Sequence, residues 1–157
     1  AEVSGSIGSL LDINLGTDGE STGIENIYLR GTLLGMTREE IDRELPKMVE
    51  YSELGNFINL PMKTYSSGMQ MRVAFTVSTQ SASDILLMDE WLAVGDQNFQ
   101  RKAEERLSRL VEQTKILVIA SHSQDLIKRV CTRAVWLDHG RMRMDGSVEE
   151  VCKAYFG

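Results

Sequence analysis

The sequence predicts an α/β fold, on two observations. Residues 85–88 (Ile-Leu-Leu-Met) and 116–120 (Ile-Leu-Val-Ile-Ala) are wholly apolar runs of strand length, as expected for a sheet covered on both sides. Around them, segments with helical spacing alternate with the strands from residue 66 to 131, which is the element order of α/β domains. A chain of 157 residues with 42% apolar content is enough for one domain with its own core.

Within residues 1–16, Ser6 to Ile13 forms a short strand-like piece flanked by Gly and Ser, and residues 17–22 form a polar loop. Residues 23–35 place Ile24, Ile27, Leu33 and Leu34 at helical spacing. Thr37 and Glu40 stand at capping-box spacing before a helix whose inward face is Ile41, Leu45, Met48 and Val49. Met36 and Met48 read as core filling. Pro46 costs about 3 kcal/mol inside a continuous helix, so a break or kink is expected there. Residues 55–64 read as a loop stiffened by Pro61.

Ser66-Ser67-Gly68 opens a helix running to about residue 81, with Val73, Ala74 and Val77 inward. Residues 97–113 form a charged amphipathic helix with the inward stripe Phe99, Ala103, Leu107 and Leu110; its charges are a solvated face. The second apolar strand ends at Ser121-His122-Ser123, and a helix over 124–131 follows. Residues 134–137 and 141–144 read as a hairpin around Asp138-His139-Gly140, where His139 is structural. Ser147 and Glu150 give another capping box for a final helix through Tyr155.

Charge and composition narrow the function. A net charge of −6 argues against a general nucleic-acid-binding surface. Cys131 and Cys152 have no His or Cys neighbours at metal spacing and read as buried or half-buried thiols in a reducing compartment, in preference to a disulfide. No apolar run reaches the ~18–20 residues that span a bilayer, and no basic-then-apolar leader is present. Direct membrane insertion is therefore not expected, and any membrane connection runs through a protein partner.

Three groups can carry chemistry. Asp89 and Glu90 close the first apolar strand, where open α/β sheets place their ligands. Adjacent strand residues point to opposite sides, so one carboxylate can hold a metal while the other faces water; an acidic pair can equally just end a buried strand. His122 closes the next strand and reaches the same sheet edge, either to bond a phosphate oxygen or simply as a satisfied polar residue. Ser66, Ser67 and Gly68 offer hydroxyls and amides at a helix N-terminus, which is an anion site or an ordinary cap.

Their joint order, helix-opening Ser-Ser-Gly, strand-Asp-Glu and strand-Ser-His, resembles the ATP-binding cassette (ABC) family of transporter ATPases. Tyr65-Ser66-Ser67-Gly68-Met69-Gln70 is similar to the signature motif, residues 85–90 to Walker B with its catalytic glutamate, 93–96 to the D-loop, and His122 to the switch histidine. Within the family, Tyr-Ser-Ser-Gly-Met at 65–69, Trp-Leu-Ala-Val-Gly-Asp at 91–96 and the stretch 23–31 resemble ATPase subunits of polysaccharide exporters, which move lipid-linked O-antigen, capsule or teichoic-acid chains. The match covers most of the chain.

The resemblance implies a partial ABC-type ATPase (P-loop NTPase-like) domain with a helical subdomain. Its segments would be 1–16 as core, 17–83 as the helical subdomain ending in the signature helix, and 84–157 as the C-terminal part of the core. ATP and Mg²⁺ would be the cofactors. Ser66, Ser67, Gly68, Met69 and Gln70 would contact ATP held mainly by the other subunit of a homodimer, and Asp96 would communicate across it. Asp89 would orient Mg²⁺ through water, Glu90 would polarise the attacking water, and His122 would hold the γ-phosphate. Integral membrane permease subunits would be the other partners, with the protein peripheral on the cytoplasmic face of the inner membrane.

Departures qualify the match. No Gly-x-x-x-x-Gly-Lys-Ser/Thr occurs, and none of the six lysines follows a glycine, so the loop that grips the β- and γ-phosphates is absent from this sequence. The adenine-stacking aromatic that precedes that loop is missing too. Asp12 stands where the family's Q-loop glutamine would be, Met69 replaces the signature glutamine and Ser67 its first glycine; Ala93 and Gly95 also differ from the commoner D-loop residues. The chain is expected to be the C-terminal part of a longer nucleotide-binding domain, inactive alone. The competing expectation is a non-catalytic cassette that docks to a permease or partner ATPase.

Overall fold

A computed structural model of the chain describes residues 4–11, 16–80, 82–90 and 97–157. It divides into two compact units, Ala1–Leu87 with Leu92–Val118, and Met88–Trp91 with Ile119–Gly157. The α/β reading holds: helices alternate with strands, and the sheet strands lie in the order β1 (Ile7–Leu10), β2 (Ile85–Asp89), β3 (Ile116–Ala120).

In the first unit, α1 (Gly23–Leu33), α2 (Arg38–Ser52) and α3 (Ser67–Ser78) bury a shared core of Ile27, Ile41, Met48, Ile58, Met62, Val73 and Val77. Gly31 permits the close crossing of α1 and α2, because a Cβ there would lie 2.8 Å from Ile41 Cδ1. Both α1 and α2 start on full capping boxes, Thr22 with Glu25 and Thr37 with Glu40. The first of these follows the same S/T-x-x-E rule as the second. Asn26, 1% exposed, pins the loop before α1: its amide donates to the carbonyls of Asp18, Ser21 and Thr22 and accepts the Asp18 N–H.

Of the expected break or kink at Pro46, the break does not occur, since α2 is continuous across it. Pro46 faces solvent, so the carbonyl of Asp42 that loses its partner can be hydrated, while Ile41 and Met48 anchor the helix on either side. Residues 55–64 are more regular than a loop: two 3₁₀ turns, Gly55–Asn59 and Met62–Thr64, lead into α3.

α4 (Gln97–Gln113) buries the stripe its sequence predicts, with Phe99 and Leu107 at 0% exposure. Phe99 and Phe75 pack edge-on at 6.1 Å, and Tyr51 completes the aromatic cluster between α2, α3 and α4. β3 departs from expectation. It is the outer strand of the described sheet, and Ile116 and Val118 are each 53% exposed, so the run is not covered on both faces.

The second unit holds α5 (Gln124–Val130), the hairpin β4 (Arg133–Asp138) and β5 (Arg141–Ser147), and α6 (Val148–Phe156). His139 (φ 47°) and Gly140 (φ 76°) both take positive φ, the two-residue turn whose twist suits a hairpin. Ser147 and Glu150 cap α6, which packs on the hairpin through Val148, Val151 and Cys152.

Candidate active site

β2 delivers Asp89 to its C-terminal end, exposed, and the backbone then turns at Glu90 into the left-handed region (φ 61°). A glutamate there is strained by roughly 1–3 kcal/mol and is held by its surroundings. The Glu90 N–H donates to the Ala120 carbonyl at 2.8 Å, which sets the acid beside the end of β3. Its carboxylate accepts the His122 N–H on Oε1 and the Ser121 hydroxyl on Oε2, each at 3.0 Å. The structure thus brings Glu90 and His122 together at one strand edge, as their positions at the ends of consecutive apolar strands predict.

The turn carrying His122 is itself fixed. Ser121 Oγ accepts the Ser123 N–H at 3.0 Å, and Ser123 Oγ caps α5 by accepting the Leu126 N–H. The His122 Nδ1 lies 3.4 Å from the hydroxyl of Tyr155 on α6, and that ring packs edge-on against Trp136 and Phe156. Asp89, Glu90 and His122 line a cleft of about 430 Å³ together with apolar side chains that include Ile119, Val151 and Trp136. Half-buried Cys131 and buried Cys152 line it too, both as free thiols. Burial, with Cys152 adding to it, pushes the Cys131 thiol up, which suits an inert structural thiol and not a nucleophile.

In the first unit, Ser66 caps α3, its Oγ accepting the Met69 N–H at 3.2 Å, while its carbonyl accepts the Gln70 N–H. Helical geometry gives the Ser67 and Gly68 N–H groups no intrahelical acceptor, so they head the helix with the exposed hydroxyls of Ser66 and Ser67. That arrangement suits an anion. The Gln70 amide donates to the Met62 carbonyl, and partly buried Met69 packs on the core. Tyr65 is buried, donates to the Phe57 carbonyl at 2.6 Å, and has its phenol pushed up by burial. Asp12 and Asp96 lie outside the described residues.

Among the described residues, no group of three or more His, Cys, Asp or Glu could hold a metal. Asp89 can supply one carboxylate, which fits Mg²⁺, an ion that keeps several waters and takes its other oxygens from substrate phosphates. Ser121 and Tyr155 are the neighbours that motif reading passes over. Ser121 stands in the Ser-His pair, whereas no local signal links Tyr155 to His122.

No family model matches the chain. Among curated proteins, it is 41% identical over 154 residues to the O-antigen export system ATP-binding protein RfbB of Myxococcus xanthus, covering 98% of this chain and 35% of that protein. It is 40% identical over 151 residues to the protein of the same name from Klebsiella pneumoniae, covering 96% and 61%. Against the teichoic acids export ATP-binding protein TagH of Bacillus anthracis it is 40% identical over 147 residues, covering 94% and 27%. The chain therefore spans between about a quarter and three-fifths of the length of these relatives. Among solved structures, it matches an ATP-binding subunit of an ABC transporter with TM-score 0.69 and 19% identity, over 96% of this chain and 62% of that one. It also matches an ATP-binding cassette solved as a dimer in a post-hydrolysis state with ADP and Pi, with TM-score 0.64 and 22% identity, over 91% and 63%. At those identities the structures establish the fold alone.

Proposed function

Because the chain belongs to the ATP-binding cassette family of transport ATPases, we propose that it is part of the ATP-hydrolysing subunit that powers export of a lipid-linked polysaccharide through a membrane permease. The relatives' names, teichoic acids export and O-antigen export, support that cargo class. The observation that carries the catalytic reading is the pairing of Glu90 with the Ser121–His122 turn at the end of β3.

ATP with Mg²⁺ supplies the phosphoanhydride to be cleaved and the charge that neutralises its oxygens. Asp89, exposed at the end of β2, is the carboxylate that would hold the metal. Glu90 accepts a proton from water that its carboxylate orients, which is general-base work. His122 donates from its imidazole toward a phosphate oxygen, and its Nδ1 faces Tyr155. Ser66, Ser67 and Gly68 close the site of the facing subunit with the head of α3, and Asp96 communicates between subunits. A homodimer bridged at both sites by triphosphate opens when that bridge is lost, a ligand-dependent shift of population.

Residues 17–83 act as the helical subdomain that transmits this opening to the permease, between core segments 1–16 and 84–157. Among the described residues no helix is long and apolar enough to cross a membrane, so contact through the permease on the cytoplasmic face suits the reading. The test is Glu90→Gln in the full-length protein. Mg-ATP turnover should fall by about 10²–10⁴-fold, the usual contribution of a positioned base, with nucleotide binding retained. Turnover equal to wild type would remove Glu90 from this role.

A further inference from the structure

We propose that Ser121 is a positioning residue for Glu90: its hydroxyl fixes the plane of the carboxylate that orients the attacking water. The inference rests on the reading of Glu90 as that group. Glu90 is exposed, and an exposed glutamate side chain loses rotamer entropy when held in one geometry. Two donors on two different oxygens do the holding, the His122 N–H on Oε1 and the Ser121 hydroxyl on Oε2. Each oxygen keeps a further lone-pair direction for water.

The hydroxyl is committed in direction. Ser121 Oγ accepts the Ser123 N–H at 3.0 Å, so its acceptor side faces the turn and its single proton goes to Glu90. Ser123 is in turn locked by capping α5. A fixed series of contacts thus runs from the head of α5 through Ser123 and Ser121 to the carboxylate. The Ser123-to-Ser121 bond closes the local turn by itself. Ser121→Ala removes both contacts at once, so the double variant with Glu90→Gln is what separates a positioning role from a purely structural one.

The experiment uses the full-length protein with Mg-ATP and compares Ser121→Ala, Ser121→Thr, Glu90→Gln and the Ser121→Ala/Glu90→Gln double variant. Ser121→Ala should lower kcat about tenfold, the order expected when a reacting group is misplaced by less than 1 Å. KM for ATP should stay unchanged. Ser121→Thr, which keeps the hydroxyl, should restore most of the rate, and the double variant should be no slower than Glu90→Gln alone. If Glu90→Gln is inactive while Ser121→Ala turns over like wild type, the role of Ser121 is overturned and the proposed function stands. If Glu90→Gln keeps full turnover, the functional reading fails instead, and hydrogen exchange decides the contact. The His122 amide should then exchange faster in Ser121→Ala and regain protection in Ser121→Thr; equal exchange in all three proteins overturns the inference.

Discussion

At the start of β2, Asp84 gathers partners from both neighbouring strands. Lys115 Nζ lies 2.7 Å from Oδ1, while the Ser6 N–H and hydroxyl donate to Oδ2 at 2.9 and 3.0 Å. The Lys115 ammonium first, then the Ser6 donors, hold this carboxyl at about 2, below its ordinary 3.8. A carboxyl depressed in the folded state contributes its stability above the unfolded value and loses it as pH falls through the folded one. Asp84 therefore stabilises fully above pH 3.8, and the contribution disappears on the way down to about pH 2. Asp84→Asn should flatten the loss of stability across that window, read as urea midpoints against pH; parallel curves for the two proteins would contradict it. Legibility at this scale follows burial and motif. Asp89, Glu90 and His122 stand out because polar groups end apolar runs, while Asn26 does not, since nothing local says that a helix-borne amide will turn back on its own loop.

Elements were legible where one face carries the pattern. The stripes of α4 and α2 and the turn of the β4–β5 hairpin follow from spacing and turn chemistry alone. β3 is less covered than its apolar run implies because such a run records only that a strand can be buried, and its place at the edge of the described sheet is set by topology. Pro46 does not break α2 because propensity is a local cost that two buried anchors outweigh. Pattern also does not show how α4 is tied to the end of α3. The Arg106 guanidinium donates to the Thr79 carbonyl at 3.1 Å and the Gln80 side chain at 2.8 Å, and stacks 4.2 Å above the Tyr51 ring. It thereby supplies donors to the C-terminal turn of the signature-like helix, where orphan carbonyls collect. Burial lowers its pKa and raises that of Tyr51, so the contact is partly desolvated. Arg106→Ala should cost about 2 kcal/mol in urea unfolding, the scale of charge-assisted hydrogen bonds. Arg106→Lys should recover only part of it, because an ammonium cannot reproduce the planar fork; full recovery by lysine would mean that charge alone matters.

For the molecule as a whole, the fold class was legible from strand and helix order, and the family from three short motifs whose sequence order carries more information than any one of them. What the order leaves out is which groups grip a triphosphate most tightly. In this chain the donors proposed for phosphate are the head of α3 and the imidazole of His122, and the sequence contains no glycine-rich loop ending in Gly-Lys-Ser/Thr. A helix N-terminus attracts an anion with partial charges of about half an electron, whereas such a loop surrounds the β- and γ-phosphates with successive amides and an ammonium. The first arrangement is a weak host by itself. The 157-residue chain should accordingly show weak or undetectable ATP binding by calorimetry with Mg²⁺ present. Micromolar affinity in the isolated chain would mean that Ser66–Gly68, or residues near Glu90 and His122, hold nucleotide without any such loop.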